Sequence, residues 1–393
     1  MNNRTRRTHT GHKALMRLAL GLTAVAASLP LAACGGDTVG GGSDEEIQTA
    51  ESGAVEGKLT ISSWPGYIDQ GKDGTVAEFE DEKGVSVDYI EDVNSNIQFF
   101  GKMQPLFDQG DSGGRDIIVV TDWMARRMYD LGYLQEINPD DIPTALDNLA
   151  PQFDSEGGYD PDHKFSIPWQ GGMTGIWTID GEADDATSVN DLFDPKYKGK
   201  VTVLDEMRDT IPLVMRGEGI ESAEEATKED WLAAIDKVGA AVESGQIRRV
   251  TGNEYTEDLT SGNVVASIGW SGDGYLIGRD DVTWSRPEEG CNVWFDMMAI
   301  PAGAPNTPAA LEWMNFVYEP EVQADIAAFV NYVTPVAGTK EVLAKEDPKL
   351  AEDPLIFPDD EFIADCQPYW EPPGDDDDVQ EVEEAWNDVI SGG

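Results

Sequence analysis

DIIVV, residues 116–120, is an unbroken apolar run, the pattern of a strand buried on both faces. Such a strand needs a covering layer on each side of its sheet, and its neighbours supply them. KLTISSW (58–64) reads as a strand stopped by the breaker Pro65-Gly66. GTVAEFEDEKG (74–84) has helical spacing with a glycine stop at Gly84. VSVDYI (85–90) alternates as a second strand, and NIQFFGKMQPLFDQG suits a helix ending near Gly110. After DIIVV, TDWMARRMYDLGYL opens a helix with Thr121 or Asp122 as its N-cap. The alternation of strand and helix predicts an α/β lobe with a mainly parallel sheet.

KFSIPWQGGMTGIWTID (164–180) reads as a crossing into a second lobe. There KVTVLD is a strand, EMRDTIPLVMRGEG opens a helix, KEDWLAAIDKVGAAVESG is a helix and NVVASIGW is a strand. VWFDMMAIP (293–301) is a further strand, residues 307–331 carry two helices, and VQEVEEAWNDVI is an amphipathic tail helix. The acid run Asp375 to Asp378 before it is expected to be solvated. About 330 residues follow Gly57, too many for one simple core, which again points to two lobes.

The N-terminus is not expected to belong to this fold. Arg4, Arg6, Arg7, Lys13 and Arg17 precede the apolar run LALGLTAVAASLPLAA (18–33), the make-up of a secretory signal peptide. LAAC, ending at Cys34, resembles the lipobox of bacterial lipoproteins, in which the cysteine is lipidated. The alternative is a plain signal peptide with a structural cysteine, and Arg6-Arg7 leaves twin-arginine export as a weaker reading. Gly35 to about Glu56 is a Gly/Ser/acid tether.

Charge narrows the partners. The chain carries a net −49, and removing residues 1–33, with five basic and no acidic residues, takes it to −54. That argues against nucleic acid and anionic membrane surfaces and favours cations, although a saline habitat would also account for surface acidity. Beyond the signal peptide one histidine remains, His163, in a loop where solvation is expected. Serine–histidine and cysteine–histidine catalysis and histidine-rich zinc sites lose their plausibility. No acid/Gly spacing of an EF-hand calcium loop occurs. No metal or cofactor is expected. With Cys34 taken by lipid, Cys291 and Cys366 form an even pair, read as a disulfide, with two buried free thiols as the alternative. Closing that loop contributes on the order of 4 kcal/mol in the chain-entropy picture.

In open α/β sheets ligands bind beyond the carboxyl ends of strands. Trp64 and Tyr67 follow the first strand, and Thr121, Asp122 and Trp123 follow DIIVV. Asp205, Glu206 and, one turn on, Asp209 follow KVTVL; Trp270 and Asp273 follow VVASIG in GWSGDGY. Trp294 and Asp296 alternate with Phe295 and so share one face of an extended chain. Rings and carboxylates recur together, which suits an organic cation: aromatic faces for its methylenes and ammonium groups, carboxylates for its charged ends. Each has a plainer reading. Asp205 and Asp122 suit helix caps, Asp209 a first-turn carboxylate, and Trp123 and Trp294 packing. Trp177, Trp231, Trp313 and Trp386 sit in regular elements and read as packing residues.

The order of motifs, lipobox, strand–Trp–x–x–Tyr, strand–Thr–x–Trp, SIP with GMTGI, MRD, GWSGD and WFDMMAIP, resembles the extracytoplasmic spermidine/putrescine-binding proteins of ABC transporters over about residues 57 to 372. The resemblance implies an α/β fold of the two-lobed periplasmic-binding-protein kind (type II-like). Residues 57–172 plus about 297–335 would form one lobe and 173–296 plus about 336–393 the other. It implies a non-enzymatic monomer that closes over a polyamine, held at the outer face of the cytoplasmic membrane by its lipid and partnered by permease subunits. It carries ligand contacts to Trp64, Tyr67, Thr121, Trp123, Glu206, Asp209, Trp270, Asp273, Trp294, Asp296 and Tyr332, the last in NYVTP. Asp296 would grip a terminal ammonium. A late Gln or Glu contact falls on Gln367 or Glu371. Pro65 replaces a common hydroxyl donor, and Glu206 and Asp209 reverse the side-chain lengths of the spermidine type, whereas Asp273 matches the putrescine type. The competing readings are a binder of another organic cation such as a quaternary amine, a secreted carboxylate-based hydrolase, and a surface interaction module.

Overall fold

The computed structural model describes residues 47–153 and 159–392; the signal segment, Cys34 and the first part of the tether lie outside them. The strands are β1 (Lys58–Ser63), β2 (Ser86–Glu91), β3 (Ile117–Thr121), β4 (Ser166–Ile179), β5 (Val201–Leu204), β6 (Ile247–Thr251), β7 (Ala266–Trp270), β8 (Val282–Ser285), β9 (Cys291–Ala299) and β10 (Cys366–Pro368). They form one sheet in the order β2-β1-β3-β9-β4-β7-β5-β6, with β10 added to β9 and β8 to β4.

Two parallel sets flank an antiparallel centre. β1 lies between β2 and β3, and β5 lies between β6 and β7, all in parallel pairs. β9 pairs antiparallel with β3 from Ile118↔Ala299 to Thr121↔Asp296. β4, buried along its whole length, pairs antiparallel with β9 on one side and with β7 on the other. The segment expected as a crossing is thus a single fourteen-residue strand that pairs with β7 of one set and, through β9, is linked to β3 of the other. β3 shows why DIIVV reads as it does: every residue from Ile117 to Thr121 is buried, under helices and between β1 and β9.

Helices follow the parallel strands and cover the sheet. Thr75–Lys83 follows β1 and stops where Gly84 takes φ 70°, a left-handed position that glycine enters without penalty. Asn96–Phe107 follows β2, capped by Ser95, and Asp122–Asp130 follows β3. Met207–Gly217 follows β5, and its N-cap is Glu206, whose side chain accepts from the Arg208 amide. The cap expected at Asp205 is therefore one residue later. Thr121, not Asp122, is the N-cap position of its helix, while the Asp122 carboxylate accepts from the Trp123 amide.

Three local expectations change. Residues 47–56, expected within the tether, are held to the body: Ala50 is buried, its amide donates to the Glu136 carbonyl, and Glu51 exchanges hydrogen bonds with Thr307. His163 is buried, not solvated, and has positive φ. The acid run is largely exposed, as expected, but most of it belongs to the tail helix instead of preceding it. Asp376–Gly392 is helical from its first acids, and Asp378 pairs with Lys228 at 2.6 Å. Trp177, Trp231, Trp313 and Trp386 are all buried, as packing residues should be.

Cys291 and Cys366 form a disulfide at matching register positions of β9 and β10. The bond fixes the C-terminal segment alongside the strand that carries Trp294 and Asp296.

Candidate ligand-binding site

The carboxyl ends of β1, β3, β5 and β7 converge with the middle of β9 on one cavity. Trp64 and Tyr67 reach it from the loop after β1, Thr121 from the end of β3, Glu206 and Asp209 from the start of the helix after β5, and Trp270 from the end of β7. Trp294 and Asp296 project from the same side of β9, as their alternation requires, and Tyr332 arrives from the loop after helix Pro320–Val330. Pro65, Asn96, Asn253 and Tyr369 complete the wall. The lining holds three carboxylates and no Lys, Arg or His.

The rings form a connected cage. Trp270 meets Trp64 edge-on at 5.8 Å and Trp294 at 6.4 Å; Trp294 meets Tyr332 at 5.6 Å, and Tyr332 meets Tyr67 at 5.3 Å. Edge-to-face contact of this kind fixes ring orientation beyond what area burial provides. Gly172 allows it: a Cβ there would lie 2.6 Å from the Trp294 ring.

Each carboxylate is held differently. Asp296 accepts from the Tyr67 hydroxyl at 2.8 Å through Oδ2, while its buried Oδ1 has no hydrogen-bond partner. Burial pushes its pKa up to about 7, against the pull of the neighbouring hydroxyls. Asp209 accepts from the Thr174 hydroxyl through Oδ1 and from the Trp270 indole at 2.8 Å through Oδ2, and the nearby Tyr369 hydroxyl favours its charged form. Burial, reinforced by the charge of Glu206, raises Asp209 to about 8. Glu206 accepts from the Arg208 amide and from Asn96, each at 3.2 Å; burial raises its pKa, and the Arg208 charge opposes the rise. Two further polar atoms at the wall lack partners, the Trp64 indole nitrogen and Asn253 Oδ1.

Nine of the eleven residues expected at the site line the cavity; Trp123 and Asp273 do not. Trp123 is buried behind the wall, and the Arg208 guanidinium lies 3.9 Å over its ring. Both Asp273 oxygens are taken, Oδ1 by the Tyr332 hydroxyl and Oδ2 by the Tyr255 hydroxyl, each at 2.5 Å. The glycines of GWSGDGY serve those tyrosines: a Cβ on Gly272 would fall 2.5 Å from the Tyr332 ring, and one on Gly269 would fall 2.5 Å from Tyr255. Of the two candidates for a late contact, Gln367 bonds to Trp370 and the Glu221 carbonyl, and Glu371 pairs with Arg208. Tyr369, between them, is the residue that enters the cavity. Thr174, Asn96, Asn253 and Tyr369 carried no sequence signal as site residues, since none follows a strand in the aromatic–acid pattern.

The family model for bacterial extracellular solute-binding proteins matches residues 74–358. The spermidine/putrescine-binding periplasmic protein of Escherichia coli K12 is 28% identical over 312 residues, covering 78% of this chain and 84% of the relative. The putrescine-binding periplasmic protein PotF of the same organism is 28% identical over 332 residues, with the same coverage. Among solved structures, a putative spermidine/putrescine ABC transporter protein from Listeria monocytogenes superposes with a TM-score of 0.71 at 26% identity, covering 86% of this chain and 99% of that one. The fold is that of the two-lobed periplasmic binding proteins. No helix among the described residues is long and apolar enough to cross a membrane.

Proposed function

Because the chain belongs to the family of bacterial extracellular solute-binding proteins, we propose that it captures a polyamine, putrescine or spermidine, in this cavity and delivers it to the permease of an ABC importer. One observation carries the reading. Three carboxylates and five interlocked rings enclose a cavity with no cationic side chain in its wall, and Asp296 Oδ1 is buried there without a partner. A buried carboxylate oxygen is costly without a donor, and an ammonium group is the donor that restores the balance. The rings of Trp64, Trp270, Trp294 and Tyr332 cover the methylene spacer and add cation–π attraction. Asp296 holds one terminal ammonium, and Asp209 with Glu206 holds the other.

The two parallel sets, joined through β4 and β9, are the lobes that close over the ligand, and closure presents it to the permease. A lipid on Cys34 keeps the monomer at the outer face of the cytoplasmic membrane, with more than one acyl chain for a lasting hold. A quaternary amine would use the rings and leave the carboxylates without hydrogen-bond donors, so the three acids favour primary and secondary amines. Asp273 bears on selectivity indirectly, through the tyrosines it orders.

Isothermal titration calorimetry with putrescine, spermidine, spermine and choline tests the proposal. Binding of putrescine or spermidine well below the millimolar range, with choline far weaker, is the expected result. Absence of polyamine binding below that range would contradict it.

A further inference from the structure

Arg208 is a buried cation one residue from a cavity acid. Its helix places its amide on Glu206, while its guanidinium reaches Glu206 only at the limit of ion pairing, with Nη1 4.0 Å from Oε1 and no hydrogen bond between them. The group is held by other partners. Nε donates to both Glu371 oxygens at 3.0 Å, and Nη2 donates to Oε2 at 2.7 Å. Nη2 also stands 3.6 Å from Glu383, which in turn pairs with Arg127 at 3.4 Å. The guanidinium carbon lies 3.9 Å from the centre of the Trp123 ring. A cation–π contact and a bidentate carboxylate together hold a guanidinium in place, and the two parallel hydrogen bonds also fix its orientation. Asp122, half-buried next to Trp123, adds a further acid near enough to feel the Arg208 charge, so the acids around this group outnumber the cations.

This arrangement matters because Arg208 would otherwise be a rival to the ligand. A guanidinium at full contact with Glu206 would occupy the carboxylate and place a positive charge against an incoming ammonium. We infer that Trp123, Glu371 and Glu383 restrain Arg208 from Glu206, so that the Glu206 carboxylate is left for the amine ligand. Glu371 and Trp123 are then positioning residues that act through Arg208 without touching the cavity. The restraint also spans the molecule: Trp123 follows β3, Arg208 follows β5, and Glu371 and Glu383 belong to the C-terminal segment. The inference rests on the reading of the cavity as an ammonium site.

A double-mutant cycle tests it, with putrescine and spermidine titrated into the wild type, Glu371→Gln, Arg208→Met and the double variant. Glu371 is half exposed, so its variant keeps the fold, and methionine preserves the apolar stem of Arg208. With Arg208 present, Glu371→Gln should weaken binding on the order of tenfold. In the Arg208→Met background the same change should have less than about a twofold effect. An unchanged affinity for Glu371→Gln, or an equal loss with and without Arg208, would overturn the restraint. A wild type that binds neither amine would instead overturn the functional reading beneath it.

Discussion

Among the carboxylates, Asp296 has an unpartnered oxygen, whereas Asp205, outside the cavity wall, accepts from Gln98 at 3.2 Å. Asp296→Asn should therefore weaken polyamine binding on the order of a hundredfold, as expected for truncating one partner of a buried charged pair, and Asp205→Asn only slightly. Equal losses in calorimetry would mean that the anchor lies elsewhere. The raised carboxyls also set a pH dependence. Asp209 near 8 and Asp296 near 7 must both be ionised to hold a cation, so affinity should be full above about pH 8 and fall as pH drops through these values. The ligand-free fold runs the opposite way. Carboxyls raised above an unfolded value of about 3.9 stabilise it below that pH and lose the contribution as pH rises through the folded values. An affinity constant from pH 8.5 to pH 6 would contradict the assignment. At this scale sequence reading had firm limits. Trp64, Trp270, Trp294 and the acids were legible because strand ends recur with one chemistry. Trp123 and Asp273 fit the same pattern, and only distant partners, Arg208 for one and Tyr255 and Tyr332 for the other, draw them behind the wall.

The elements show which parts of a fold local pattern can specify. Strand β3 and the helices Thr75–Lys83 and Asp122–Asp130 follow from apolar period and punctuation over a few residues. β4 is different: all fourteen residues are buried, so no polar face marks Thr174 as the donor that holds Asp209 and accepts from the Trp294 indole at 3.1 Å. β10 is three residues long and gains its place by pairing with β9 and through the Cys291–Cys366 disulfide, which closes a sequence separation of 75. Its neighbour Tyr369 reaches Asp209 from there. Replacing both cysteines by serine should lower unfolding free energy by about 2–5 kcal/mol and weaken polyamine binding, because Tyr369 loses its fixed origin. Chemical denaturation alongside calorimetry reads both effects. Unchanged affinity in a destabilised variant would remove Tyr369 from the account.

The whole molecule is a sheet whose two parallel sets share a cavity at their carboxyl ends, lined by three carboxylates and no cationic side chain, the chemistry proposed to receive a cation. The net charge of −49 agrees with that chemistry without identifying a ligand, since the acids that define the cavity are three among 76 Asp and Glu. Selectivity rests on where those three lie relative to the rings. The most direct test is a crystal structure of the protein with putrescine. One terminal nitrogen is expected within hydrogen-bond distance of Asp296 Oδ1, the methylenes between the Trp64, Trp270 and Trp294 rings, and the other nitrogen at Asp209 or Glu206. Putrescine bound outside this cavity, or inside it with neither nitrogen on a carboxylate, would contradict the central claim.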